Sequence, residues 1–134
     1  MVRRRNLLSS VLLIAAIACS ACARQEARLQ QHREKFESLG ASTKLIGEAW
    51  LAGRVSRTYT TTALERIYLL VEQERQTLAA QPATLADSRG ATLSQAAERL
   101  SRDIAAMLQS VRGADGASVR RQLASVPIAP REPQ

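Results

Sequence analysis

Large side chains are scarce in this chain. Its 134 residues include one Trp, one Phe and two Tyr, and β-branched runs are rare, which argues against an all-β fold built from such residues. Imidazole is scarcer still. His32 is the only histidine, which excludes a multi-histidine metal site, and the carboxylates are too dispersed to replace one. A catalytic role for His32 would need a Ser or a carboxylate facing it from another helix; otherwise it is a half-exposed residue of a polar helix. Phosphate loops are missing too, since Gly113 and Gly116 lack both the spacing and the following Lys of a P-loop. No internal repeat is present. Lysine is limited to Lys35 and Lys44, so the basic character is almost entirely Arg. Both cysteines, Cys19 and Cys22, fall within the first 23 residues, and the rest of the chain is cysteine-free.

What is present is concentrated at the start. Arg3, Arg4 and Arg5 form a positive n-region, Leu7 to Ala18 an apolar h-region, and small residues close the segment at Ala23; this is the layout of a bacterial export signal. Three outcomes differ in how the protein stays at the membrane. Ala16-Ile17-Ala18-Cys19 resembles the lipobox of bacterial lipoproteins, with Ala16 where Leu is usual. The resemblance implies that Cys19 receives diacylglycerol and becomes the mature N-terminus. It also implies that Ser20, next to the lipidated cysteine, suits transfer to an outer membrane where the organism has two membranes. Alternatively, cleavage after the A-x-A pattern Ala21-Cys22-Ala23 releases a soluble protein. The third outcome is an uncleaved anchor, for which Leu7 to Ala23 falls short of the roughly 20 apolar residues of a spanning helix. Cys19-Ser20-Ala21-Cys22 has the C-x-x-C spacing of redox and zinc sites, yet it lacks a second ligand pair and sits inside the export signal. Arg4-Arg5-Asn6-Leu7-Leu8 resembles the core of a twin-arginine signal, a pattern that arginines before leucines also produce by chance.

After residue 23 the chain has room for one small domain. Without the n-region arginines, 16 basic residues face 12 acidic ones, a mature charge of +4. So mild an excess fits a solvated helical surface, not a nucleic-acid partner, although Arg24, Arg28 and Arg33 could also rest on anionic headgroups. Ala, Leu, Gln, Glu and Arg dominate, which predicts an all-α fold: a long helical hairpin or a slender three- to four-helix bundle. The division is 1–23 export signal, 24–126 helical domain and 127–134 proline-rich tail.

Periodicity predicts a first helix from Arg24 to Leu39, with Leu29, His32, Phe36 and Leu39 to Gly40 on one stripe and Gly40 as its stop. Arg33 and Glu37 are spaced to pair on it. A second helix is expected from a Ser42 cap to about Gln81, because Leu45, Ala49, Ala52, Ser56, Tyr59, Ala63, Ile67 and Leu70 keep helical phase before the stripe reaches Leu78. The alternative is a break near 57–62, where the run Thr58 to Thr62 has low propensity and Thr62-x-x-Glu65 reads as a capping box. Pro82 ends this element, and residues 83–90 form a connection. A third helix starts between Asp87 and Thr92 and buries Leu93, Ala97, Leu100, Ile104, Met107, Leu108 and Val111, lying antiparallel along Ile67, Leu70 and Val71. Asp115 caps a short last helix from Gly116 to Ser125, anchored by Val119 and Leu123. Pro127, Pro130 and Pro133 make the end an extended tail.

No residue set reads as catalytic, and no cofactor is implied. Glu72 and Glu74 point in different directions on a helix; Glu65 and Glu72 share a face, a solvated one. Trp50 and Tyr59 are the candidates for contact with a partner or ligand, against the simpler account that they bulk out an alanine-rich core. The expectation is a small cell-envelope lipoprotein, tethered to the membrane by lipid on Cys19, whose helices act as a structural or protein-binding module, by protein partners or self-association. An exposed apolar strip on the second helix would support binding. The alternative is a soluble periplasmic ligand-binding or sensing bundle with a cavity near Trp50 and Tyr59.

Overall fold

The computed structural model describes the backbone of residues 2–126 and the side chains of residues 21–126. The Cys19 side chain and the proline-rich stretch 127–134 lie outside the described residues. Within them are five helices and no strand: α1 (Val2–Leu51), α2 (Arg57–Ala79), α3 (Pro82–Ala86), α4 (Ser88–Arg112) and α5 (Gly116–Ser125). The fold is an all-α bundle, as the composition predicts. No helix among the described residues is long and apolar enough to cross a membrane.

The main departure from the sequence reading is where the first turn falls. Gly40 does not stop α1, and Ser42 does not cap a new helix; its hydroxyl donates back to the Ser38 carbonyl at 2.9 Å. The stripe Leu29, His32 and Phe36 continues in phase through Gly40, Thr43 and Gly47, all buried. Helix α1 ends at a Schellman motif: Gly53 adopts φ +69°, its amide donates to Trp50 O at 2.9 Å, and the Arg54 amide donates to Ala49 O at 2.9 Å. The left-handed position suits glycine, which has no Cβ to clash. Ser56 then caps α2 by accepting from the Tyr59 amide at 3.1 Å. The expected continuous 42–81 helix is therefore broken at 52–56, and the Thr58 to Thr62 run lies inside the start of α2.

The buried face of α2 is Thr60, Leu64, Ile67, Val71, Glu74 and Leu78. Of the expected stripe Ile67 and Leu78 belong to it, whereas Tyr59 is 58% exposed and Leu70 49%. Thr60 tolerates burial because its hydroxyl donates to the Ser56 carbonyl. Helix α4 buries all seven predicted apolar positions. Its cap is Asp87, whose carboxylate accepts from the Arg89 amide at 2.9 Å, while Thr92 lies inside the helix. The connection before it contains the single turn α3, opened by Pro82 at a position where a missing amide costs nothing. Asp115 caps α5 as predicted, accepting from the Ser118 amide at 3.0 Å.

Between α4 and α5 the chain makes a second Schellman motif, with Ala114 amide to Val111 O at 3.1 Å and Asp115 amide to Ser110 O at 2.8 Å. Here the left-handed residue is Ala114, at φ 54°, and the glycines sit at 113 and 116. Ala114→Gly is expected to stabilise the protein by about 1 kcal/mol, the strain a Cβ carries in this conformation. A shift in the urea midpoint at unchanged slope would register it.

Cross-helix pairs fix the topology. His32 meets Glu74 and Glu72 meets Ser101, so α2 runs antiparallel to both α1 and α4, and α1 and α4 run parallel. Helix α5 returns antiparallel to them: Gly116 lies under Leu51, and Leu123 lies on Gly47 beside Met107. With ten residues against 25 for α4, it covers about 15 Å of a helix about 37 Å long. Among the described residues the fourth corner of the bundle is filled at one end only.

Candidate functional site

The unfilled part of that corner is a groove of about 450 Å³ between α1 and α4. Its floor is Phe36 and Gly40 from α1 and Leu93 and Leu100 from α4, and its rim carries Arg33, Glu37 and Arg89. Toward the start of α1 it runs into a smaller depression beside Glu26 and Leu29. The floor is apolar because both helices present core residues where α5 has stopped. At the rim, Arg89 is tied to Glu26 at 2.9 Å and to Asp87 at 3.2 Å. Arg33 and Glu37, spaced to pair with each other, form no ion pair among the described residues, which leaves a cation and an anion at the mouth of an apolar slot.

The sole imidazole is not half-exposed; it is buried at 6% exposure. His32 Nδ1 lies 2.5 Å from Glu74 Oε1, Lys35 Nζ lies 3.1 Å from Glu74 Oε2, and the Gln81 side-chain amide lies 3.4 Å from His32 Nε2. The reason for burial is helical phase: position 32 falls between Leu29 and Phe36 on the inner stripe, and Glu74 falls between Val71 and Leu78 on α2. A carboxylate does face His32 from another helix. Both ring nitrogens and both carboxylate oxygens already have partners, however, and the pair lies in the α1–α2 interface. This geometry joins two helices and offers no free base.

Glu65, Glu72 and Glu98 are similarly committed. Glu72 accepts from Ser101 Oγ at 2.5 Å and from Arg75 at 2.7 Å; the Ser101 hydroxyl foremost, with Arg75, holds its carboxyl below the usual range despite partial burial. Such a group stays ionised and suits no general-acid role. Glu65 and Glu72, read as a solvated face, instead reach across to α4: Glu65 pairs with Arg112 at 2.5 Å. Glu98, spaced to pair with Arg102, reaches Arg75 of α2 at 3.7 Å. Among the described residues no three His, Cys, Asp or Glu side chains converge to hold a metal.

Trp50 is half-buried against the core, whereas Tyr59 stands outward at the start of α2. Neither lines the groove. On the outer part of α2, Leu69 is 65% exposed and Leu70 49%, and a shallow depression of about 370 Å³ lies beside Tyr68, Leu69 and Leu108. Sequence reasoning missed the groove. The signal available was an imbalance: α4 has an apolar face from Leu93 to Val111, while α5 offers only Val119 and Leu123 to cover it. The chain matches no family model, no curated protein and no solved structure.

Proposed function

We propose that the chain is an exported protein held at a membrane through Cys19, and that its helical domain is a binding module which receives an apolar segment of another envelope protein in the α1–α4 groove. The observation that carries this reading is the half-empty fourth corner. Two parallel helices present a continuous apolar floor, and α5 covers only one end of it; a further segment laid end to end with α5 would bury the remainder, as an amphipathic helix does in a hydrophobic groove. The exposed Leu69 and Leu70 on α2 support a protein-facing role as well. Position also favours an envelope partner. From Cys19 to the groove at Arg33 and Gly40 is 14 to 21 residues of one unbroken helix, about 21 to 32 Å at 1.5 Å per residue. The buried, fully partnered His32 favours binding over catalysis.

The alternative, a soluble small-ligand module, draws on one observation: a groove of about 450 Å³ lies within the roughly 300–1,000 Å³ typical of small-molecule sites. Two measurements in the native host separate the readings. Intact mass of the mature chain is expected to show a lipid-bearing Cys19 in the membrane fraction; an unmodified N-terminus at Arg24 in the soluble fraction would overturn the tether. A photoreactive residue at Thr92, on the groove rim, is expected to give one intermolecular protein adduct that Ala96→Trp abolishes and that a photoreactive residue at exposed Gln76 does not reproduce. Equal labelling from both positions, or none from Thr92, would overturn the groove as a protein site.

A further inference from the structure

The bundle has two ends, and they differ in charge. Gln25 Nε2 donates to the Ala83 carbonyl at 2.9 Å, so α1 enters the bundle at the level of α3, beside the end of α2 and the start of α4. The chain that turns there, 76–86, reads Gln-Thr-Leu-Ala-Ala-Gln-Pro-Ala-Thr-Leu-Ala and is the longest stretch without a charged residue after residue 23. Its inward side chains Leu78 and Thr84 are buried and Leu85 packs on the core, while Ala79, Ala80, Pro82, Ala83 and Ala86 are exposed. The connections at the opposite end, 52–56 and 113–115, each carry a charge, Arg54 and Asp115. Around the uncharged end, Glu26 and Asp87 are both engaged by Arg89. The exposed Arg24 and Arg28, four apart on one face of α1, give this end its positive sign.

We propose that this end of the bundle is a membrane-facing surface: the turn 79–86 sits on the headgroup layer of the bilayer that holds the chain, and Arg24 and Arg28 sit against its anionic phosphates. The proposal rests on the tether at Cys19. From Cys19 to Gln25 helix α1 rises six residues, about 9 Å, against a headgroup layer about 5 to 8 Å thick on each side of the hydrocarbon core. The end face therefore arrives at the outer edge of that layer, and Arg24, one residue lower, within reach of the phosphates. Small uncharged side chains give up little hydration there, whereas a carboxylate would meet the negative surface potential of an anionic leaflet. Each Arg held near such a surface favours the docked state about fivefold. Contacts this weak suffice, because the tether keeps the end face at high effective concentration over the lipid. The other end of α1, at Leu51, lies 26 residues beyond Gln25, about 39 Å, and stays clear of the bilayer.

In the full chain in native membranes, a photoreactive residue at position 83 is expected to give phospholipid adducts at least tenfold above those from the same residue at position 54, at the opposite end. Ala79→Glu together with Ala86→Glu is expected to reduce the adduct from position 83 at least tenfold, and Arg24→Gln together with Arg28→Gln at least fivefold, with helicity unchanged in both. Equal lipid adducts from the two ends, protein adducts in place of lipid at position 83, no adduct, or a yield indifferent to either pair of substitutions would each overturn the membrane-facing end. Intact mass of the same chain keeps the two readings apart. A lipid-bearing Cys19 without lipid adducts at position 83 retains the tether and removes the docked end, and an unmodified N-terminus at Arg24 in the soluble fraction removes both.

Discussion

Gly90→Ala is expected to destabilise the protein by about 3 kcal/mol, the upper part of the range for forcing atoms into a packed site. Gly90 is buried in the first turns of α4, and a Cβ built on it would fall within the radius of the Thr84 carbonyl oxygen and 2.7 Å from the carbonyl carbon. The obstacle is backbone, so no rotamer change relieves it; α3 and the start of α4 must separate, which uncovers Thr84. The sign is informative, because alanine in a helix interior otherwise gains about 1 kcal/mol over glycine. Urea unfolding followed by helix ellipticity would measure it, and a midpoint equal to or above that of the parent chain would rule out the close α3–α4 contact. Gly47 provides the contrast. A Cβ there meets Leu123 Cδ2 at 2.9 Å, the end of a side chain that can turn, and about 1 kcal/mol is expected.

Glu74→Leu and His32→Leu are each expected to cost about 3 kcal/mol, while the double substitution returns close to the parent stability. Removing one member of a buried ionisable pair strands the other without its partner, whereas two well-packed apolar residues need none. Lys35 is 61% exposed at its side chain and can be solvated once Glu74 is gone, so the coupling measured in the cycle belongs mainly to the His32–Glu74 pair. Additive single effects would show that the two side chains act independently and that the α1–α2 interface does not depend on their contact.

The elements legible in the sequence were those in which apolar residues alone define the face. Helix α4 has seven in phase, and its partner surface on α2 includes Ile67 and Val71, two of the three residues predicted. The α1–α2 turn was misread because burial at Gly40, Thr43 and Gly47 leaves no trace in hydropathy: the Thr43 hydroxyl donates back to the Leu39 carbonyl and Gly47 lies against Leu123 and Met107, while Gly40 read as a stop. The true turn had its own marks, Gly53 for the left-handed position and Ser56 for the cap three residues later. On α2, Leu64, Val71 and Leu78 lie beside a second apolar line of Tyr59, Ala63 and Leu70, and only the arrival of α4 decides between them. The aromatic residues drew attention by their size, yet Trp50 is core-facing and Tyr59 is not. His32 and Glu74 are 42 positions apart, and no local pattern joins them. The groove was hardest to foresee, since it is defined by a helix that is too short.

The unbroken course of α1 from Val2 to Leu51 sets the azimuth of everything it carries. Were the chain fastened at Cys19 as proposed, no glycine or proline would lie between that point and Arg33 at the groove to act as a swivel, and the compass direction in which the slot opens would be dictated by residue count. One residue added between Arg24 and Arg28 would lift the bundle by about 1.5 Å and turn the slot by about 100° around the helix axis. A partner fixed in the same membrane would lose its docking face to such an insertion and regain much of it when the insertion reaches seven residues, two turns of the screw.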